Sequence, residues 1–296
     1  MMKQKFHFSC ESTVDMPFEY VNKRGASVLF YSYAVDGKEY VDDMLRNENA
    51  LPEFYRLIKD GKLPTTSQIN KFKYLEYFDK LLQNGDVLHI AFGSGMTPSV
   101  KNALEAKEEL SIKYPDRRLV IVDSTCSSSG YGLLVDDALD MWEYGYELDE
   151  LEDWANSIKL NVHHQFFSTD MKMFKRSGRV SGATAMVATI LGICPLMRLN
   201  KAGKIISYSR ARGKEKAMNE TIRTMENKAI DGISYSGKCF ISHSSMYDDA
   251  IRMKNKILEK FPNIKEVKVF DIGTIIASHT GPGTIALFYY GDERIE

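Results

Sequence analysis

Five short stretches of this sequence combine side chains and backbone that suit an anion. Gly93-Ser94-Gly95 stands at a predicted strand-to-helix corner and runs into Met96-Thr97-Pro98. The glycines let a ligand approach the backbone, Ser94 adds a hydroxyl, and the free N–H groups of the next helix favour negative charge. The plainer alternative is a loop of small residues. Pro64-Thr65-Thr66-Ser67-Gln68 sets three hydroxyls in a row between two helical patterns. They are ligand donors or helix caps, with Ser67 placed to cap the second helix. In Ser278-His279-Thr280-Gly281-Pro282-Gly283-Thr284, two glycines around a proline read as a stiff turn between two apolar strands, aiming His279 and Thr280 in one direction. Lys175-Arg176-Ser177-Gly178-Arg179-Val180-Ser181 is a solvated basic loop, or positive charge at one end of the apolar run that follows it at residues 183–197. A last basic stretch, Ser209 to Lys216, falls at a strand-to-helix connection. Cations in a first helical turn oppose the helix dipole, so Arg210, Arg212 and Lys214 serve solvent or an acidic docking partner.

The elements around these stretches alternate. Residues 5–9, 28–35, 87–92 and 119–122 carry short apolar strand patterns, and Asp36-Gly37 marks a turn. Helical periodicity covers residues 51–59, 72–82, about 98–113 and 131–144, with Thr97 as cap and Pro98 in the first turn. Strand-loop-helix repetition implies a parallel sheet with helices on both faces. The pattern changes near residue 160. Strands are expected at residues 204–209, 238–243, 267–272 and 284–290, and helices at 213–227 and 248–260. The expected architecture is α/β: two α/β domains, residues 1–160 with a mainly parallel sheet and residues 161–296 with a mixed sheet. Residues 183–197 read as a buried helix, or one lining an apolar cavity.

Composition narrows the function. Lysine and arginine number 39 against 40 aspartates and glutamates, a net charge of -1, so nothing calls for nucleic acid as the main partner. The longest apolar run is too short to span a membrane and is broken by Gly192 and Pro195, so no stable membrane insertion is expected. The first residues lack the apolar core of a secretory signal, and the four cysteines, Cys10, Cys126, Cys194 and Cys239, form no CxxC pair. The expectation is a cytoplasmic protein with reduced thiols. His163 and His164 have no carboxylate or thiol at ligand spacing, so no metal is expected.

Ser12-Thr13-Val14-Asp15-Met16-Pro17, Asp36-Gly37-Lys38, Pro64-Thr65-Thr66-Ser67-Gln68, Ser94-Gly95, Asp123-Ser124, Gly178-Arg179-Val180-Ser181 and His279-Thr280-Gly281-Pro282-Gly283 occur in an order and spacing that resemble the DegV family along nearly the whole chain. The resemblance implies a fatty acid held in a tunnel between the two domains, no other cofactor and no catalytic residue. It also implies a fatty-acid kinase as partner, which phosphorylates the presented carboxylate to an acyl phosphate for phospholipid synthesis. By position, Thr66, Ser67 and Ser94, with Gly95 beside it, are similar to the family's carboxylate-contacting residues. His279 and Thr280 resemble its second head-group set, and Arg179 and Ser124 resemble supporting residues. Two motifs depart from the family's usual wording: Cys10-Glu11-Ser12-Thr13 where Thr-Asp-Ser-Thr is common, and Met96-Thr97-Pro98-Ser99 where Leu-Ser-Gly-Thr is common.

Such a ligand is physically reasonable. Each buried methylene contributes about 0.8 kcal/mol, so a long tail yields on the order of 10 kcal/mol before binding costs. A bare carboxylate is too costly to bury, and hydroxyls with a protonatable histidine offset that. Two other readings stay open. Ser94, His279 and Asp123 could form a serine-hydrolase triad acting on acyl esters, although Ala91-Phe92-Gly93-Ser94-Gly95 is not G-x-S-x-G. The same pocket would also serve a lipid sensor without a kinase.

Overall fold

The structure is a computed structural model that describes residues 5–180 and 192–296. The first half of the chain runs β1 (Phe6–Glu11), α1 (Phe18–Asn22), β2 (Ser27–Leu29), β3 (Ser32–Val35), β4 (Lys38–Val41), α2 (Ala50–Lys59), β5 (Thr65–Ser67), α3 (Lys71–Leu82), β6 (Asp86–Ala91), α4 (Ser99–Lys113), β7 (Leu119–Asp123), α5 (Ser128–Tyr144) and α6 (Leu148–Ile158). The second runs β8 (Val162–Ser168), α7 (Lys172–Ser177), β9 (Ile193–Leu199), β10 (Ile205–Arg212), α8 (Lys214–Lys228), β11 (Lys238–His243), α9 (Tyr247–Lys260), β12 (Glu266–Asp271), α10 (Thr274–Thr280) and β13 (Thr284–Tyr290).

Two α/β domains result, as expected. The first is built on the parallel sheet β2-β1-β6-β7. Its central strands are buried on both faces, which is why they read as near-continuous apolar runs. The second is built on the six-stranded mixed sheet β10-β9-β8-β13-β11-β12, in which only β11 and β12 run parallel. A small antiparallel sheet, β4-β3-β5, completes the first half.

Four local expectations need correction. Residues 28–35 are two strands in different sheets rather than one. The break comes at Phe30-Tyr31, where the Tyr31 N–H donates to the Ser12 hydroxyl at 3.2 Å instead of to a ladder. The turn at Asp36-Gly37 does form, with φ of 51° and 81°, joining β3 to β4.

Thr65, Thr66 and Ser67 form β5, with Thr66 opposite Tyr33, so Ser67 caps no helix. The cap of α3 is Asn70, whose side chain accepts from the Lys73 N–H at 2.9 Å. Of residues 183–197, the part up to 191 lies outside the described residues. Ile193–Leu199 is strand β9 and not helix, for an unbroken apolar run fits a buried strand as well as a buried helix. Pro195 stands one residue beyond the last pair with β8, Leu196 opposite Phe167, so its missing N–H interrupts no bond on that side.

Last, Ser278, His279 and Thr280 are the end of helix α10, not a turn between strands; only Gly281 to Gly283 turn.

Helix α5 joins the domains. It packs on β1 of the first sheet and on β8, β11 and β13 of the second. Its carboxylates Asp136, Asp137 and Asp140 surround the Lys238 ammonium at 2.6, 2.8 and 2.6 Å, and Arg24 reaches Asp136 at 2.7 Å.

Candidate functional site

A cavity of 290 Å³ lies between the two domains, near the lower end of the roughly 300–1,000 Å³ usual for ligand pockets. From the first half come Thr66, Ser67, Phe92, Met96 and the start of α5. From the second come Phe166, Phe174, Ile275, Ile276 and Phe288 among others. The wall is mostly apolar.

One polar corner lies where β5, α7 and α10 meet. β5 carries Thr66 and α10 carries His279, and the Thr66 hydroxyl shares a hydrogen bond with His279 Nε2 at 2.8 Å. The α7 end closes this corner: the Ser177 hydroxyl donates to the His279 carbonyl at 3.4 Å, Arg176 donates to the Pro64 carbonyl, and Arg179 donates to the Ser177 carbonyl at 2.8 Å.

The other ring nitrogen, His279 Nδ1, is buried and has no partner among the described residues. Burial, aided by the Arg179 and Arg176 guanidiniums, brings the imidazole down to about 4, so it is neutral at pH 7. The remaining buried polar groups of the wall are already engaged. Thr284 donates to Ser168 at 3.0 Å and Ser128 donates to Asp15. His164 is held by the Val162 carbonyl at 3.0 Å and the Ser127 N–H at 3.1 Å. His279 Nδ1 is therefore the lining group that still needs a counterpart, and it sits beside two arginines. This corner can accept an anion; the rest of the cavity, mostly apolar, suits an apolar body.

Of the residues singled out in the sequence, Thr66, Ser67, Arg179, His279 and Thr280 line the cavity, with Ser67 and Arg179 exposed at its edge. Ser94, Gly95 and Ser124 do not. Ser94 is exposed, and its N–H donates to Asp123 Oδ1 at 3.0 Å. Gly95 serves chain packing, since a Cβ there would stand 2.3 Å from the Ala202 carbonyl oxygen. The Ser124 hydroxyl accepts from the Cys126 N–H at 3.1 Å and shapes its own loop. No triad forms around Ser94: His279 Nε2 is bonded to Thr66, and Asp123 holds the backbone N–H groups of Ser94 and Thr125.

Arg210 and Arg212 are exposed on the edge strand β10. Lys214 opens α8 paired with Asp249 at 2.7 Å, which answers its unfavourable place in a first turn.

Sequence reading missed the cavity residues Ser127, Ser128, His164 and Phe288. The run Ser127-Ser128-Ser129-Gly130 was visible, but only the fold turns that helix start toward the cavity. The variant residue of the opening motif, Glu11, is fully buried and accepts the Phe92 N–H at 2.8 Å and the Tyr74 hydroxyl, fixing the strand end that leads to Gly93. Among the described residues no group of three or more His, Cys, Asp or Glu side chains could hold a metal ion, and no helix is long and apolar enough to cross a membrane.

A family model described as "Uncharacterised protein, DegV family" matches residues 5–292. The chain belongs to the DegV family. A DegV domain-containing protein of Clostridium perfringens is 32% identical over 292 residues, covering 98% of this chain and 99% of the relative. Among solved structures, a DegV family protein from Thermus thermophilus, described as binding fatty acid, superposes with a TM-score of 0.84 at 25% identity, covering 97% of this chain and 99% of the other. One from Eubacterium eligens, described as loaded with heptadecanoic acid, has a TM-score of 0.83 at 16% identity and covers 97% of this chain and 100% of the other. The DegV resemblance of the sequence motifs and the two-domain α/β expectation both hold.

Proposed function

We propose that this DegV chain binds one long-chain fatty acid in the cavity between its domains, and that it is a carrier and not itself an enzyme. The observation that carries the reading is His279 Nδ1, buried without a partner among the described residues, beside Thr66 and two arginines in a mostly apolar wall. A carboxylate gives that nitrogen an acceptor, and the apolar wall gives the tail its affinity. The fatty acids held by the Thermus and Eubacterium relatives support the ligand class.

In this reading Thr66, Ser67, His279 and Thr280 hold the carboxylate and Arg179 supplies charge at the edge. Ser94 and Gly95 belong to the adjoining loop, and Ser124 shapes the loop next to it. Ser94→Ala tests the Ser94 hydroxyl: a contact to the carboxylate predicts roughly 1.5–3 kcal/mol weaker binding, and unchanged affinity limits the loop to packing.

The carboxylate corner lies at the exposed edge formed by Ser67 and Arg179, where a second protein can reach it. We assign the partner as a fatty-acid kinase in the cytoplasm that converts the presented carboxylate to an acyl phosphate. Arg210 and Arg212, exposed on β10, are the proposed docking cations, with Lys214 committed in part to Asp249.

The test is direct. Protein made in a lipid-replete host, studied by native mass spectrometry and then extracted under denaturing conditions, should release a long-chain free acid near one per chain. No lipid, and no binding when one is added back, would falsify the reading.

A further inference from the structure

His279 is only as well placed as the short helix that carries it, and the other end of α10 is held by two carboxylates of the first half of the chain. Asp15 Oδ1 accepts the Gly273 N–H at 3.0 Å, directly ahead of the helix. Asp42 Oδ1 accepts the Thr274 hydroxyl at 2.9 Å. The second oxygen of Asp15 accepts from the Ser128 hydroxyl, which lines the cavity at the start of α5. Asp15 thus ties two cavity walls to each other, and Asp42 adds a second grip on one of them.

Gly273 fits this contact closely. Its φ of -68° and ψ of 167° are open to any residue, yet a Cβ there would stand 2.7 Å from Asp15 Oδ1. A side chain at 273 would displace either the carboxylate or the helix, while the backbone conformation itself is unstrained.

Both carboxylates are almost fully buried, and Asp271 stands near Asp15 and Asp43 near Asp42. Burial raises Asp15 well above the usual carboxylate range and brings Asp42 up to about 6. Burying two carboxyl groups close together, where burial and the neighbouring carboxylates disfavour ionisation, is an expensive way to fasten a helix if stability alone is at stake. Their geometry gives them another use.

We propose that Asp15 and Asp42 are positioning residues: by holding Gly273 and Thr274 they set where α10 places His279 against Thr66, and so how long a bound fatty acid stays. The residence-time part rests on the proposed fatty-acid function; the placement of His279 does not.

Three variants test it. Gly273→Ala pushes α10 away from Asp15 with no backbone strain. Thr274→Val removes the hydroxyl that Asp42 holds while keeping the side-chain shape. Asp15→Asn keeps an acceptor for the Gly273 N–H at a position whose φ of 48° asparagine tolerates.

Histidine NMR of the ligand-free proteins reads the placement, stopped-flow release of a fluorescent long-chain acid reads the residence, and thermal unfolding reads stability separately. Gly273→Ala and Thr274→Val should shift the His279 ring signals and speed release roughly tenfold, the loss of about one hydrogen bond. Asp15→Asn should stay close to the wild type in both. Folded Gly273→Ala and Thr274→Val proteins with wild-type His279 signals and wild-type release would overturn the proposal. A wild type that binds no fatty acid defeats the functional reading, while the His279 signals still decide the clamp.

Discussion

His279 shows how much of a site is carried by one incompletely bonded nitrogen. Its neutral state in the ligand-free protein follows from burial and from Arg179 and Arg176, which bring it from an ordinary 6.5 to about 4. The unfolded chain therefore holds more protons than the folded one between those two values. The stability this group contributes is complete above pH 6.5 and is lost as the pH falls through the window toward 4. Wild type compared with His279→Gln by thermal unfolding should show a stability difference that moves against the wild type over that range; a constant difference contradicts the assignment. Thr66→Ala should leave His279 Nε2 unsatisfied and weaken fatty-acid binding by about 1–3 kcal/mol, read by calorimetry. Both residues stood out in the sequence, in a row of hydroxyls and beside Gly-Pro-Gly, and the structure brings them into hydrogen-bond contact. Gly95 and Ser124 drew the same attention, and there the structure shows close chain contacts: a carbonyl against Gly95 and a local hydrogen bond at Ser124.

The elements were legible wherever one periodicity ruled. β11 and β13 were read to the residue, and α2, α3, α8 and α9 to within a residue or so at each end. The failures share a cause: a tertiary partner chose between two local options. Thr65 to Ser67 had the composition of a cap, but β3 offered a ladder. His279 looked like part of a turn, but the seven residues from Thr274 wind into a helix before Gly281. The apolar run that ends at Met197 was read as helix, but β8 and β10 flank its last residues as a strand. The cap assignment can be checked in solution. Asn70→Ala should destabilise the protein by about 1 kcal/mol in chemical unfolding, and Ser67→Ala should have no comparable effect. The reverse ranking would place the cap at Ser67.

At the scale of the whole molecule, two sheets meet across α5, and the cavity lies where they meet. The Lys238 cluster that fastens this junction joins residues about a hundred positions apart, so no local sequence pattern announces it. Lys238→Ala leaves the fully buried Asp136 with Arg24 and the Tyr20 hydroxyl, both on Oδ1, strips its Oδ2 of the ammonium, and removes the cation shared by Asp137 and Asp140. Breaking a buried pair costs about 3–5 kcal/mol, and equilibrium denaturation should show a loss of that order; a change within measurement error would mean the cluster is solvated. The central claim concerns what fills the junction. Histidine nitrogen NMR at pH 6, with and without one equivalent of a long-chain fatty acid confirmed bound by native mass spectrometry, tests it most directly. On binding, His279 should pass from a neutral ring to one carrying a proton on both nitrogens as the carboxylate arrives. A bound acid that leaves the His279 signals unchanged would place the head group elsewhere and contradict the account.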